Sequence, residues 1–225
     1  MIYNRPEYWL AKTEVVVPYL TFSSPSSFTL AVGDATKHWD GIVEYSTDTS
    51  VWATWDGTTT LSSVASGNDN VLYLRGTGNT HLGYYSENKD DYIPWVINGT
   101  DVRCDGNIET LLDYATVKAG QHPMMEYKCF VGLFKGCTAL IVAPALPATT
   151  LAGSCYSEMF YGCTSLKLSS TQTGEYMQEY RIPSSGAGVT ASDALYEMFS
   201  STGGTFTGTP EINTTYYLSN TNTVV

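Results

Sequence analysis

Cys129-Phe130-Val131-Gly132-Leu133-Phe134-Lys135-Gly136-Cys137-Thr138-Ala139-Leu140 and Cys155-Tyr156-Ser157-Glu158-Met159-Phe160-Tyr161-Gly162-Cys163-Thr164-Ser165-Leu166 align without a gap, offset by 155 − 129 = 26 residues. The first Cys, the Phe, the Gly-Cys-Thr triplet and the last Leu are identical. Phe130/Tyr156 and Leu133/Met159 match in kind. A degraded third copy, Ala194-Leu195-Tyr196-Glu197-Met198-Phe199, follows at an offset of 194 − 155 = 39, that is 26 plus an insertion of 13. This repeat constrains the fold more than any other feature. A unit so short cannot bury its own apolar face and must stack on a neighbour.

Cys155 and Met159 are four residues apart, as are Tyr156 and Phe160, so the spacing predicts a short helix with one pair or the other inward. Gly162 would end it as a residue able to take positive φ. Thr164 and Leu166 then enter an extended segment with the Leu facing the core. Two prolines in Ala143-Pro144-Ala145-Leu146-Pro147-Ala148 suit the turns of a coil rather than a central ladder. A helix-plus-strand unit of about 20–29 residues is the leucine-rich-repeat size class. Four of the five cysteines, Cys129, Cys137, Cys155 and Cys163, fall inside the units and Cys104 outside. With an odd count and no C-x-x-C pair, buried free thiols are preferred over a disulfide or a metal site. Cys137 and Cys163 would stack one coil apart.

The wording C-Y-x-x-M-F-x-G-C-T-S-L at Cys155–Leu166, its copy at Cys129–Leu140, and A-P-x-L-P-A-T-T-L at Ala143–Leu151 resemble the BspA-like leucine-rich repeats of gut bacteria and their phages. The resemblance covers roughly residues 124–200. It implies a solenoid, and association with adhesion and receptor contact rather than catalysis. With two clear copies and an eroded third, caps are needed on both faces. The natural candidates are the part before the repeat and the segment 167–225.

The first half reads differently. Thr13–Val17, Tyr19–Phe22, Phe28–Val32, Ile42–Tyr45, Val51–Trp55 and Val71–Leu74 are short β-prone runs. Ser24-Pro25-Ser26, Gly33-Asp34, Asp56-Gly57 and Ser66-Gly67-Asn68-Asp69 break them. That rhythm predicts a β-sandwich or jelly roll, with Val71–Gly76 as a central strand. Ile108, Leu111, Leu112 and Ala115 then share a helix face behind Asn107 as N-cap. The wording Glu44-Tyr45-Ser46, Trp52, Leu72–Gly76 and Gly106-Asn107-Ile108 is similar to a β module that precedes such repeats. The expected class is therefore mainly β with short helices. The parts are an arm at 1–12, a β-sandwich-like module at 13–120 and a leucine-rich-repeat domain with C-terminal cap at 121–225.

Charge narrows the partners. Against 11 basic residues stand 22 acidic ones, a formal net charge of -11, and such a surface repels phosphate backbones and anionic headgroups. Nucleic acid is therefore not expected. No run approaches the roughly 18–20 apolar residues of a membrane span, so no membrane insertion is expected either. Met1–Trp9 has neither a basic nor an apolar region of a secretory leader. The chain is then either a mature fragment or leaves its cell by another route, such as lysis.

Catalytic signatures are missing. His38, His81 and His122 lie far apart with no metal-ligand spacing, and are taken as loop or surface residues. Asp90-Asp91 and Asp101/Asp105 lack a calcium-loop pattern. No Ser stands in G-x-S-x-G. No catalytic residue, metal or cofactor is assigned. The aromatics are more informative, because all five tryptophans lie in the first half. Trp39, Trp52, Trp55, Tyr84 and Tyr85 are the candidate ligand-binding residues. Trp52 and Trp55 are three apart on a strand, so they face opposite sides and at most one is core. In the arm, Tyr3, Tyr8 and Trp9 are candidate anchors to other virion or surface proteins. Together with the resemblance, these features imply a non-enzymatic structural or adhesive protein at the virion surface of a phage: a capsid decoration, fibre or tail-associated protein for host attachment. Host glycan or a protein receptor is the implied partner. A bacterial cell-surface or secreted adhesin is the alternative, and the oligomeric state stays open.

Overall fold

A computed structural model describes residues 18–33, 39–82 and 94–220. The run Thr13–Val17 and the arm with Tyr3, Tyr8 and Trp9 lie outside the described residues. Among the described residues the fold is mainly β, with several sheets, none of them closed into a barrel, and one short helix. The strands before the helix are β1 (Leu20–Ser24), β2 (Thr29–Val32), β3 (Ile42–Ser46), β4 (Ala53–Trp55), β5 (Leu61–Ser62), β6 (Val64–Ser66), β7 (Asp69–Thr77), β8 (Trp95–Asn98) and β9 (Val102–Asp105). Helix α1 (Thr110–Lys118) precedes β10 (Leu140–Val142), β11 (Lys167–Ser169), β12 (Tyr176–Arg181), β13 (Gly203–Gly204) and β14 (Thr215–Ser219).

A seven-stranded sheet runs β10-β9-β1-β7-β3-β4, with β6 also on β7. As the Val71–Gly76 run predicts, β7 is central, bonded to β1 and β3. Gly67 (φ 63) opens the two-residue turn between β6 and β7, where a residue at positive φ matches the twist of the strands. A three-stranded sheet, β5-β2-β8, and a four-stranded one, β12-β14-β11-β13, complete the fold.

Within the repeats the structure departs from the predicted helix. The N–H groups of Cys129, Val131, Leu133, Lys135 and Cys137 each bond to the carbonyl three residues back, forming a ribbon of overlapping β-turns. The alternate N–H groups of Phe130, Gly132, Phe134 and Gly136 leave the ribbon. They donate to the carbonyls of Cys155, Ser157, Met159 and Tyr161 in the second unit, at 2.7–2.9 Å. Tyr156, Glu158, Phe160 and Gly162 repeat this toward Ala194, Tyr196, Met198 and Ser200 of the third, at 2.8–3.0 Å. The 39-residue offset is thus a true repeat register. A left-handed residue recurs every fourth position: Lys128, Gly132 and Gly136, then Ser154, Glu158 and Gly162, then Asp193, Glu197 and Ser201. Such a residue at the third place of a turn is what a type II turn requires. The alternation points both members of each apolar pair inward, so Cys155, Tyr156, Met159 and Phe160 are all fully buried, where a helix would bury one pair.

The first half supplies a turn of the same stack. Leu82 N–H donates to the Cys129 carbonyl and Trp95 N–H to that of Leu133, both at 2.7 Å, as Phe130 and Phe134 do one level on. The thiols agree: Cys137 Sγ donates to the Trp95 carbonyl at 3.1 Å, and Cys163 Sγ to that of Phe134 at 3.0 Å. Trp95 therefore stands where Phe134, Phe160 and Phe199 stand. These rings form a column with centroids 6.0, 5.7 and 5.5 Å apart, the last two pairs parallel within 6°. Offset stacking of this kind adds about 0.5–1.5 kcal/mol per pair beyond area burial. Beside the column, β10 joins β9 in parallel. One cluster of buried side chains extends from Leu20 in β1 to Leu218 in β14.

The helix expected behind Asn107 forms with a break. Asn107 Oδ1 accepts the Glu109 N–H at 2.8 Å, but Asp113 has extended angles (φ -152, ψ 101) and restarts the helix by accepting the Thr116 N–H at 2.8 Å. The break turns Ala115 out to solvent and Val117 in, whereas Ile108, Leu111 and Leu112 are buried as expected. Gly76 on β7 makes room for it. A Cβ there would lie 1.7 Å from the Leu111 carbonyl oxygen.

Two substitutions at matching ribbon positions have opposite expected signs. Gly162→Ala forces a Cβ into the left-handed region with only ordinary contacts around it, and should cost about 1 kcal/mol. Ser201→Gly, at the equivalent place in the third ribbon, removes that strain and should be neutral to stabilising, by up to about 1 kcal/mol. Urea denaturation of the two variants checks this. Phe160→Ala, at the centre of the column, should cost about 3–5 kcal/mol by the same measurement.

Candidate functional site

The outer face of the large sheet carries an aromatic belt around one guanidinium. Arg75 and Glu44 are cross-strand partners on β7 and β3, and Arg75 Nε meets Glu44 Oε2 at 2.8 Å. Trp52, just before β4, and Tyr114, on α1, both pack on the guanidinium: its Cζ lies 4.1 Å from the Trp52 ring centroid and 4.3 Å from that of Tyr114. Tyr19 extends the belt, 5.7 Å from Trp52 and 5.3 Å from Tyr73. Tyr73 and Arg75 alternate on β7, and Tyr19 and Trp52 sit at strand ends, so the pleat gathers these four, while Tyr114 reaches them from α1. Each is half-buried: fixed by its neighbours yet open to solvent on one side. Fixed guanidinium, phenol and indole groups offer flat apolar faces beside hydrogen-bond donors, the requirements for holding a sugar ring or an aromatic side chain.

The predicted ligand residues divide across the sheet. Trp52 and Trp55 do face opposite sides. Trp55 is only 1% exposed, packs 5.5 Å from Trp95 and donates its Nε1–H to the Thr59 carbonyl, which makes it a core residue. Half-buried Trp39 lies 5.2 Å from Trp55, away from the belt partners of Trp52. Tyr84 and Tyr85 lie outside the described residues, as do His38 and Asp90-Asp91. Arg75, Tyr19, Tyr73 and Tyr114 were not singled out by the sequence. The alternation of β7, which puts Tyr73 and Arg75 opposite Leu72 and Leu74, is the signal that could have found two of them.

A second constellation was also missed. The Glu109 carboxylate is fully buried at the start of α1, and His122 Nδ1 lies 2.8 Å from one of its oxygens and 3.1 Å from the other. Both border a cavity of about 330 Å³ shared with Met124, Met125 and Thr149–Ala152. Burial raises the Glu109 carboxyl above its ordinary value, and the His122 hydrogen bond opposes that rise. His122 is an exposed loop residue, as expected, and in addition the specific partner of a buried acid. All five cysteines are free and buried. Burial lifts the Cys137 thiol to about 12 and those of Cys104, Cys129 and Cys163 well above the ordinary range, so these thiols stay protonated and serve as weak donors in the core. Among the described residues no group of three or more His, Cys, Asp or Glu side chains could hold a metal ion, and no helix is long and apolar enough to cross a membrane.

Compared with protein-family models, curated proteins and solved structures, the chain matches none.

Removing His122 tests the second constellation. His122→Ala leaves Glu109 a buried acceptor without its partner and should destabilise the protein by about 1–3 kcal/mol at neutral pH. Glu109 has a raised folded pKa, so its protonated form favours the fold. The deficit should therefore shrink as pH falls through that pKa, where the acid is neutral in both proteins. Denaturation midpoints of wild type and variant at about pH 7.5 and about pH 4 measure the difference. An equal deficit at both values would exclude the carboxylate as its source.

Proposed function

We propose that this protein is a non-enzymatic attachment module carried on a phage particle, as a capsid decoration, fibre or tail-associated protein. In this reading its second half is a short BspA-like leucine-rich-repeat solenoid, and the sandwich-like first half is the cap on which that solenoid is built. The particle assignment rests on the resemblance of the repeats, Cys129–Leu140 and Cys155–Leu166, to those of gut bacteria and their phages. The attachment role rests on one observation above others: the half-exposed belt of Tyr19, Trp52, Tyr73 and Tyr114 around Arg75. Core aromatics have no reason to surround a salt-bridged guanidinium on a solvent-facing sheet surface, whereas a recognition surface does. A surface glycan of the host is the ligand class that fits, since sugar rings offer apolar faces for Trp52 and hydroxyls for the tyrosines and Glu44. The net charge of -11 favours neutral or cationic glycans over sulfated or phosphorylated ones.

Two measurements test this proposal. Antibody labelling of purified particles should place the chain on the particle, and binding to bacterial cell walls without any particle association would favour the bacterial adhesin instead. On a glycan array, Trp52→Ala should weaken the strongest signals by about tenfold or more while leaving the thermal midpoint within a few degrees. Retention of full binding by Trp52→Ala, with or without loss at other positions, would remove the belt from the site.

A further inference from the structure

The stack meets the first half at one end and is half open at the other. At the near end, Leu82 and Trp95 donate to the first ribbon. At the far end, the third ribbon presents its own alternate N–H groups to whatever comes next. Phe199 N–H is taken by the Gly208 carbonyl at 2.9 Å and Glu197 N–H by Thr209 Oγ1 at 2.8 Å, so the returning chain fills that half. Asp193 N–H and Leu195 N–H, the next two donors in the row, have no hydrogen-bond partner among the described residues. Their counterparts one level down, Ser154 and Tyr156, donate to Ser192 and Ala194, two carbonyls of one passing segment.

These two donors open onto a groove of about 400 Å³. Ala194 and Leu195 lie on one side, Thr209, Pro210 and Ile212 on the other, and Tyr196 is half-exposed at its edge. Asp193 and Glu211 supply its charge, and no basic residue lines it. Leu195 is almost wholly buried and lines the groove, so a passing carbonyl that took its free N–H would do so on an apolar floor.

We propose that this groove binds a short segment of a partner protein in the manner of the missing next turn. The segment supplies two carbonyls, two residues apart, to Asp193 and Leu195, and an apolar side chain that rests on Ala194 and Leu195. It also carries a lysine or arginine facing Asp193 and Glu211. The backbone row sets the register of the segment, and the two carboxylates select its charge. The surface is separate from the Trp52 belt, so a chain with no glycan affinity would leave the groove intact.

The test uses the full chain and a fluorescent peptide, acetyl-Ser-Lys-Ala-Leu-Lys-Gly-amide, followed by anisotropy and by amide NMR. Binding should shift the Asp193 and Leu195 amide resonances and slow their hydrogen exchange by about tenfold or more, because each N–H gains an acceptor. The double variant Asp193→Asn/Glu211→Gln keeps the fold and should weaken binding by about tenfold, and replacing both peptide lysines by glutamate should abolish it. No binding at millimolar peptide, shifts elsewhere on the molecule, or equal affinity for the lysine and glutamate peptides would overturn the proposal. So would the same two shifts arising from concentration alone, which would assign the groove to a second copy of this chain.

Discussion

The row of hydrogen bonds between successive turn ribbons is the interaction on which the rest of this fold depends. Each ribbon uses half of its N–H groups to make its own turns and half to face the next level, and in the first two ribbons, 128–137 and 154–163, both sets are paired throughout. The parallel strands beside it could not do this alone. β10 pairs with β9, and β11 with β13 and β14, but β10 and β11 do not pair with each other. The ribbons and the aromatic column that their spacing imposes run through all the levels, with shorter backbone ties beside them at Asn107/Ala145 and Thr150/Val189. Salt bridging of Lys135 to Glu158, from one ribbon to the next, adds a half-buried contact to the same row, worth little beside the backbone bonds.

Much of this was legible in the sequence, and the part that was not has a specific cause. The 26- and 39-residue offsets give the register correctly, since equivalent side chains occupy equivalent sites. The local conformation was misread because apolar pairs four residues apart describe a helix and a period-four turn ribbon equally well. What separates them is the sign of φ at every fourth residue. Gly132 and Gly136 hint at it in the first unit, but Lys128, Ser154, Glu158 and Glu197 hide it, being residues that seldom adopt such angles. Here the gain of a whole row of interchain-like bonds outweighs about 1–2 kcal/mol of strain at each.

The near-end cap was illegible for a different reason. Leu82 and Trp95 share no sequence pattern with Phe130 and Phe134, and they meet the stack through main-chain N–H groups, which any residue but proline possesses. A backbone contact leaves no signature in residue types. The same logic hid the Glu109–His122 pair: both residues are ordinary in their own segments, and only the packing of α1 against the loop at 122–125 brings them together. By contrast, the split of Trp52 from Trp55 was readable, because strand alternation is a local rule and β4 obeys it.

The two ends of the stack show how a short repeat is limited to three ribbons. A ribbon row can be extended at either end, and an uncapped row would recruit further copies or other chains without discrimination. The first half blocks one end with a turn of its own, anchored in a seven-stranded sheet that shares its core with the repeats. At the other end Gly208 and Thr209 cover the donors of Phe199 and Glu197 and leave those of Asp193, Leu195 and Ser201 without a partner among the described residues, while Pro210 carries the chain away from the row without an N–H to complete it. The third ribbon also has Thr202 where the others have Cys137 and Cys163, and its hydroxyl bonds back to Phe199 within its own ribbon instead of reaching the ribbon before. The side-chain tie is thus dropped at the same level where the backbone row is only half filled. The last turn is the least constrained of the stack, so its edge can accept a segment from outside without dismantling anything beneath it.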